Sequence, residues 1–140
     1  MRILAIDYGQ KRTGLAVTDM LRITANPLLT IETSALRDWL IAELGKGEID
    51  TVVIGHPTQL NGEESDSMRY IRPFMGWFRK QFPSTPLVEY DERFTSTLAH
   101  QAMIAGGMKK QARRDKAVVD KIAACIILEG YLDSIHGQIG

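Results

Sequence analysis

The chain is poor in everything that would staple or anchor it. Its 140 residues include one cysteine, Cys125, so no internal disulfide can form, as suits a reducing compartment. No stretch approaches the ~18 uninterrupted apolar residues of a membrane helix. The N-terminus runs straight into a strand-like segment with no signal-peptide pattern, so a soluble, cytoplasmic protein without a membrane partner is expected. Excess charge is also lacking: Lys+Arg and Asp+Glu both number 17, and only local clustering can point to a polyanion. Repeats, low-complexity tracts and linker-like stretches are absent, and the length suits one domain, 1–140, with one core. His56, His100 and His136 have no metal-ligand spacing and read as structural, while Cys125 beside Ala124, Ile126 and Ile127 reads as a small core residue.

What is present begins at once. Ile3-Leu-Ala-Ile6 is an apolar strand ending in Asp7, followed by a glycine turn with two cations, Gly9-Gln-Lys11-Arg12. A second strand leaves from Gly14 through Leu15-Ala16-Val17. Asp7 thus closes a buried strand and faces whatever binds at the turn. Phosphate handling by an ATPase and metal-assisted cutting of nucleic acid both use such a device.

Further along, a third strand is expected over 28–33, then a helix capped by Thr33 or Ser34, with Leu36, Leu40 and Leu44 on one side and Gly45 and Gly47 at its end. Asp50–Gly55 has the unmixed apolar character of a central parallel strand, and 56–62 that of a loop. Met68, Ile71, Met75, Phe78 and Phe82 share a helical face, with Pro73 marking a start or a kink. Residues 86–92 read as a strand, and Thr95 or Ser96 as the cap of a helix ending at Gly106-Gly107. A last helix over 114–136 carries Val119, Ile122, Ala123, Ile126 and Ile127 as its apolar members. The order β-β-β-α-β-α-β-α-α predicts an α/β fold: a five-stranded mixed sheet, a three-strand antiparallel meander plus parallel strands, with helices on both faces.

Three acidic positions fall at element ends or inside an apolar face: Asp7, the pair Asp91-Glu92, and Asp120. The carboxyl ends of parallel strands form the usual site in such sheets. Carboxylates gathered there repel one another unless a cation neutralises them, and oxygen ligands suit Mg²⁺ or Mn²⁺. A pair of such ions ~4 Å apart activates a water and stabilises the leaving oxygen of a phosphodiester. Alternation favours Glu92 over Asp91 as ligand, because Glu92 shares a face with Val88 and Tyr90 as Asp7 does with Ile3 and Ala5. The plainer alternatives are a turn aspartate, a surface patch Asp91-Glu92-Arg93, and an Asp120–Lys116 helical pair.

Lys11 and Arg12 lie in the turn beside Asp7, and Arg93 follows the second acidic site. Lys109, Lys110, Arg113, Arg114 and Lys116 face a single acid, Asp115, in a glycine-led segment before Asp120. Such a segment can grip a phosphate backbone, or be only a solvated loop. No aromatics interleave it, so backbone or shape recognition is expected rather than base stacking.

Asp7-Tyr-Gly9 with Arg12, Gly14 and Ala16; Val-Ile-Gly55-x-Pro57 with Asn61-Gly62; Asp91-Glu92-Arg93-x-Thr95; and Val119-Asp120 with Ile126-Ile127-Leu128-Glu129 together resemble the YqgF/RuvX-type family. Its members are named as Holliday junction resolvases or pre-16S rRNA nucleases. The resemblance implies an RNase H-like fold, a cytoplasmic location and a divalent-metal nuclease site of Asp7, the Asp91-Glu92 strand end and Asp120. His56 and the bulky Lys116-Ala-Val-Val119 lead-in depart from the family pattern. The expected activity is processing of the 5′ end of pre-16S rRNA. The alternatives are junction resolution by a dimer, an actin-like phosphate-loop ATPase, and a nucleic-acid-binding or transcription factor without cutting activity. A monomer or weak homodimer is expected.

Overall fold

The computed structural model describes residues 1–56, 68–91 and 116–136, with only the backbone path for His56, Asp91, residues 116–120 and His136. Its centre is β1 (Arg2–Asp7). Leu4 and Ile6 project to one face of the sheet, Ile3 and Ala5 to the other, and none is more than 1% exposed. A strand apolar at consecutive positions can be stable only if both faces are covered.

β2 (Arg12–Thr18) pairs antiparallel with β1, and β3 (Ala25–Glu32) antiparallel with β2. β4 (Ile49–His56) lies parallel on the other side of β1, followed by the parallel β5 (Leu87–Asp91). The spatial order is β3-β2-β1-β4-β5, the mixed sheet expected from the sequence. β3 starts three residues before the expected strand. Its extra length includes Pro27, a residue confined to sheet edges or bulges, and it meets both conditions here: β3 is an edge of the sheet, and the pairing skips Leu28 between Ala16↔Pro27 and Leu15↔Leu29.

The β2–β3 turn is closed locally. The Asp19 carboxylate accepts the Ile23 and Thr24 backbone N–H groups at 2.7 and 3.0 Å, which holds its carboxyl below the usual range. Arg22 takes the left-handed conformation (φ 60°), donates to the Met1 carbonyl and ion-pairs with Asp50.

Helices α1 (Leu36–Leu44) and α2 (Met68–Gln81) cover one face. Leu36, Leu40, Met68, Ile71, Phe74, Met75 and Phe78 pack there on Leu4, Ile6, Leu15, Val52 and Ile54. α2 neither starts at Pro73 nor stops there. Pro73 sits on the solvent side, where water can reach the Arg69 carbonyl it leaves without an N–H partner. Gly45 ends α1, and Gly47 takes φ 74° to turn the chain into β4.

The opposite face is covered by α3 (Lys116–His136), crossing β3, β2, β1 and β4. Ala124, Cys125, Ile127, Leu128 and Leu132 bury against Ile3, Ala5, Ala16 and Val53. The seam runs Ala124–Leu128–Leu132; of the helix's apolar members, Ala123 and Ile127 are buried and Ile122 and Ile126 half-buried. Tyr90 of β5 lies across α3 at Gly130, where an added Cβ would collide with its hydroxyl and ring. Among the described residues no helix is long and apolar enough to cross a membrane. The expected helix between Thr95 and Gly106 and the 57–62 loop lie outside the described residues.

Burial, aided by the Glu129 carboxylate 3.9 Å away, pushes the Cys125 thiol up from 9.0 to about 11. Below pH 9 both folded and unfolded chains hold the proton, and stability is unaffected. From pH 9 to about 11 the unfolded chain ionises first, so stability falls across that window. Native protein is therefore expected to resist a thiol-reactive dye near neutral pH and to react fully once denatured. Rapid labelling of the native chain refutes the buried assignment.

Candidate active site

β1, β4 and β5 are mutually parallel, so their last residues, Asp7, His56 and Asp91, reach the same edge of the sheet. Asp7 is half-buried and follows Ile3 and Ala5 in parity, which puts it on the α3 side. Its cross-strand partner is Gly14, which has no side chain to fill the space beside the carboxylate.

The turn after Asp7 is held from both sides. Tyr8, on the opposite parity, packs against Phe74 of α2 with ring centroids 4.9 Å apart. Burial raises the pKa of its hydroxyl, against the opposing pull of the Arg37 guanidinium. Gly9 approaches the Arg12 carbonyl so closely that a Cβ would collide with it. Thr33, just past β3, then closes the turn. Its backbone N–H donates to the Lys11 carbonyl at 2.9 Å, and its hydroxyl to the Gly9 carbonyl at 2.6 Å. With that proton committed, the fully buried Thr13 hydroxyl must be the donor in the 2.9 Å Thr13–Thr33 contact. The expected helix cap is thereby corrected. No side chain caps the 3-10 turn Thr33–Ala35 or α1, because the Thr33 hydroxyl serves the Asp7 turn.

Lys11 and Arg12 line an open concavity of about 470 Å³ beside this turn, with Gln10, Glu32 and Ser34. Lys11 is exposed there and Arg12 half-buried. A second hollow, of about 330 Å³, lies between Ile23–Ala25 and the Glu129, Leu132 and Asp133 end of α3. Ala25 pairs with Thr18 at the end of the sheet where β1 begins. The carboxyl half of α3 therefore rests at that end, and its first turns point toward the end where β1 stops.

Asp120 lies on α3 four residues before Ala124 and eight before Leu128, both fully buried against the sheet. Asp91 is the last residue of β5, paired with His56, and Lys116 opens α3. Glu92, Arg93, Lys109, Lys110, Arg113, Arg114 and His100 lie outside the described residues. Among the described residues no three His, Cys, Asp or Glu side chains form a metal-binding group. Among the described site residues, Lys11 and Arg12 line the concavity beside the turn that follows Asp7, Asp91 ends β5 at the same end of the sheet as Asp7, and Asp120 lies in the first turns of α3. What the sequence did not reveal is the role of Thr13 and Thr33: both read locally as strand or cap residues, and their joint contact spans twenty positions.

A mixed sheet in the order 3-2-1-4-5, an acidic residue closing its central strand and a long helix across that residue's face define an RNase H-like domain. The same fold occurs in Thermus thermophilus RuvC, solved in complex with a Holliday junction substrate. That structure superimposes with a TM-score of 0.61 at 15% identity, over 99% of this chain and 97% of that one. A second Thermus thermophilus RuvC structure gives 0.59, also at 15% identity, over 98% and 97%. The chain belongs to the RuvX family, whose model, described as Holliday junction resolvase, matches residues 1–134. Relatives named "Putative pre-16S rRNA nuclease" include one from Phocaeicola vulgatus, 53% identical over 95% of this chain and 96% of its own length. The protein of that name from Porphyromonas gingivalis is 50% identical over the same shares.

Replacing Thr33 by Val keeps its shape and backbone N–H but leaves the Gly9 carbonyl and the Thr13 hydroxyl without their partner. The expected cost is about 1–3 kcal/mol, read as a lower midpoint in urea unfolding. Thr33→Ser is expected to restore most of it. Equal stability of the Val variant and wild type removes the clamp from the account.

Proposed function

We propose that this chain is a metal-dependent nuclease that hydrolyses phosphodiester bonds in structured nucleic acid, and that its substrate is the 5′ end of precursor 16S rRNA. The observation that carries the reading is Asp7, half-buried at the end of the central strand, open on the Gly14 side, with the Asp120-bearing helix crossing the same face. Family membership across residues 1–134 and relatives of matching length support the activity and the substrate. The rRNA substrate and the lone buried thiol support a cytoplasmic site of action.

The donor set is oxygen-only: Asp7, Glu92 and Asp120 would hold Mg²⁺ or Mn²⁺, with Asp91 beside them. A half-buried carboxylate at a shared strand edge fits such a hard cation. When bound, the metal lowers the pKa of a water and neutralises the charge developing on phosphate. The chain's own residues do the rest. The clamped Gly9–Arg12 turn fixes Asp7. Lys11 and Arg12 hold the phosphate beside it, with Arg93, Lys109, Lys110, Arg113, Arg114 and Lys116 extending the grip along the backbone. Hydrolysis proceeds by direct attack of water, without a covalent enzyme intermediate. Junction DNA is the second reading, favoured by the RuvC fold and the family description.

Asp7→Asn is expected to reduce cleavage of labelled precursor 16S rRNA by about a hundredfold or more, as loss of a principal electrostatic group does. The isosteric change should leave folding intact by circular dichroism. Running the same variant on a four-way DNA junction separates the substrates. Undiminished cleavage of both by Asp7→Asn refutes the proposed mechanism.

A further inference from the structure

We propose that the exposed side of α2 is a second contact surface, docking the phosphate backbone of a nucleic-acid duplex with Gly76 as the point of closest approach. This rests on the nuclease reading only in taking nucleic acid as the partner.

The solvent side of α2 is formed by Arg69, Arg72, Pro73, Gly76, Arg79 and Lys80. The helix carries four cations and no acid in its 14 residues, although the whole chain is neutral. Arg69 lies 5.0 Å above the Tyr70 ring, and Arg79 reaches the Leu87 carbonyl at 3.5 Å. Among the described residues no carboxylate pairs with Arg69, Arg79 or Lys80. Arg37 extends the patch from α1, its guanidinium 5.0 Å from the Trp77 ring. Cations held over aromatic rings keep their charge toward solvent instead of spending it on a neighbouring acid.

Gly76 is the second, independent observation. A glycine inside a helix weakens it relative to alanine, and one required by packing has a neighbouring atom where its Cβ would stand. Among the described residues there is none: a Cβ at Gly76 meets no described atom within 4 Å. Gly9 and Gly130, by contrast, are each forced by a neighbouring atom. The bare spot sits at the middle of the cationic stripe, between Arg72 and Arg79. It leaves the helix backbone open to something arriving from outside, and the surrounding charge makes that something a polyanion.

The direction of α2 fits a duplex arm. β4 and β5 are parallel and α2 connects them, so α2 runs back from the Asp7 end of the sheet. Tyr8, the residue after Asp7, stacks on Phe74 in the second turn of α2. From Arg69 to Lys80 the stripe extends about 16 Å. It therefore leads from the Asp7 end along the outer surface, on the sheet face opposite Asp7.

The test measures binding of a fluorescein-labelled duplex RNA, and of the matching duplex DNA, by anisotropy across a salt series. The Asp7→Asn background prevents cleavage. Combining Arg69→Gln, Arg79→Gln and Lys80→Gln is expected to lower the slope of log Kd against log salt by roughly two to three, and to weaken binding about tenfold or more at low salt. Gly76→Ala is expected to raise the thermal midpoint yet weaken binding, and Gly76→Glu to weaken it further. Stability and affinity moving in opposite directions is a result a structural role does not produce. Unchanged slope and affinity in the triple variant overturn the proposal, as does Gly76→Glu binding like wild type. Loss of binding to polyglutamate with duplex binding intact assigns the stripe to an acidic protein and also overturns it. Cleavage by Asp7→Asn in the separate rRNA assay bears on the nuclease reading alone.

Discussion

The structure depends on one constraint: β1 is apolar at four consecutive positions and must be covered on both faces. Ile3 and Ala5 belong to α3, Leu4 and Ile6 to α1 and α2. This division sends Asp7 to one side and Tyr8 to the other. A slip of one residue would exchange the two and turn the carboxylate toward Phe74. Pairing with β2 on one side and β4 on the other prevents the slip. The position of the acid is therefore a by-product of how the cores are shared, and needs no dedicated contact to set its side.

The two faces also divide the electrostatics. Asp7 lies on the α3 side of the sheet, while α2 carries four cations on the other. A dry layer of Leu4, Ile6, Val52, Ile54 and Phe74 separates them. Charges kept apart in this way do not neutralise each other, so a chain with zero formal charge carries a polarised surface. The concavity at Lys11 and Arg12 lies beside the turn that follows Asp7.

Most of the fold could be read from the sequence because its signals were of the kind that sequence carries. Consecutive apolar positions marked β1 and β4, and the helical spacing from Met68 to Phe78 gave α2 its buried side. What could not be read depended on distance or on face. The Thr33 hydroxyl looks like a local cap, and only the fold reveals that Gly9 and Thr13 come within its reach. Pro27 looks like a strand breaker until β3 proves to be an edge. Which apolar residues of α3 meet the sheet was open in the sequence; Ala124 is small enough to sit flush on it, and Leu128 and Leu132 follow. The cations of α2 are scattered along the chain and converge only when wound onto a helix. The proposed carboxylates stood in the sequence as three separate signals; of them the structure describes the Asp7 side chain and the backbone positions of Asp91 and Asp120, while Glu92 lies outside the described residues.

The side of β3 that no described strand pairs has a consequence for how copies of this chain can meet. An open strand normally offers its backbone to any other strand, and sheets can then extend from molecule to molecule. Pro27 lacks the N–H such growth needs, and the extra residue at Leu28 breaks the even spacing of the donors that remain. The molecule is thereby closed to strand-by-strand polymerisation along that margin. Pairing of copies along that margin has to use side chains instead.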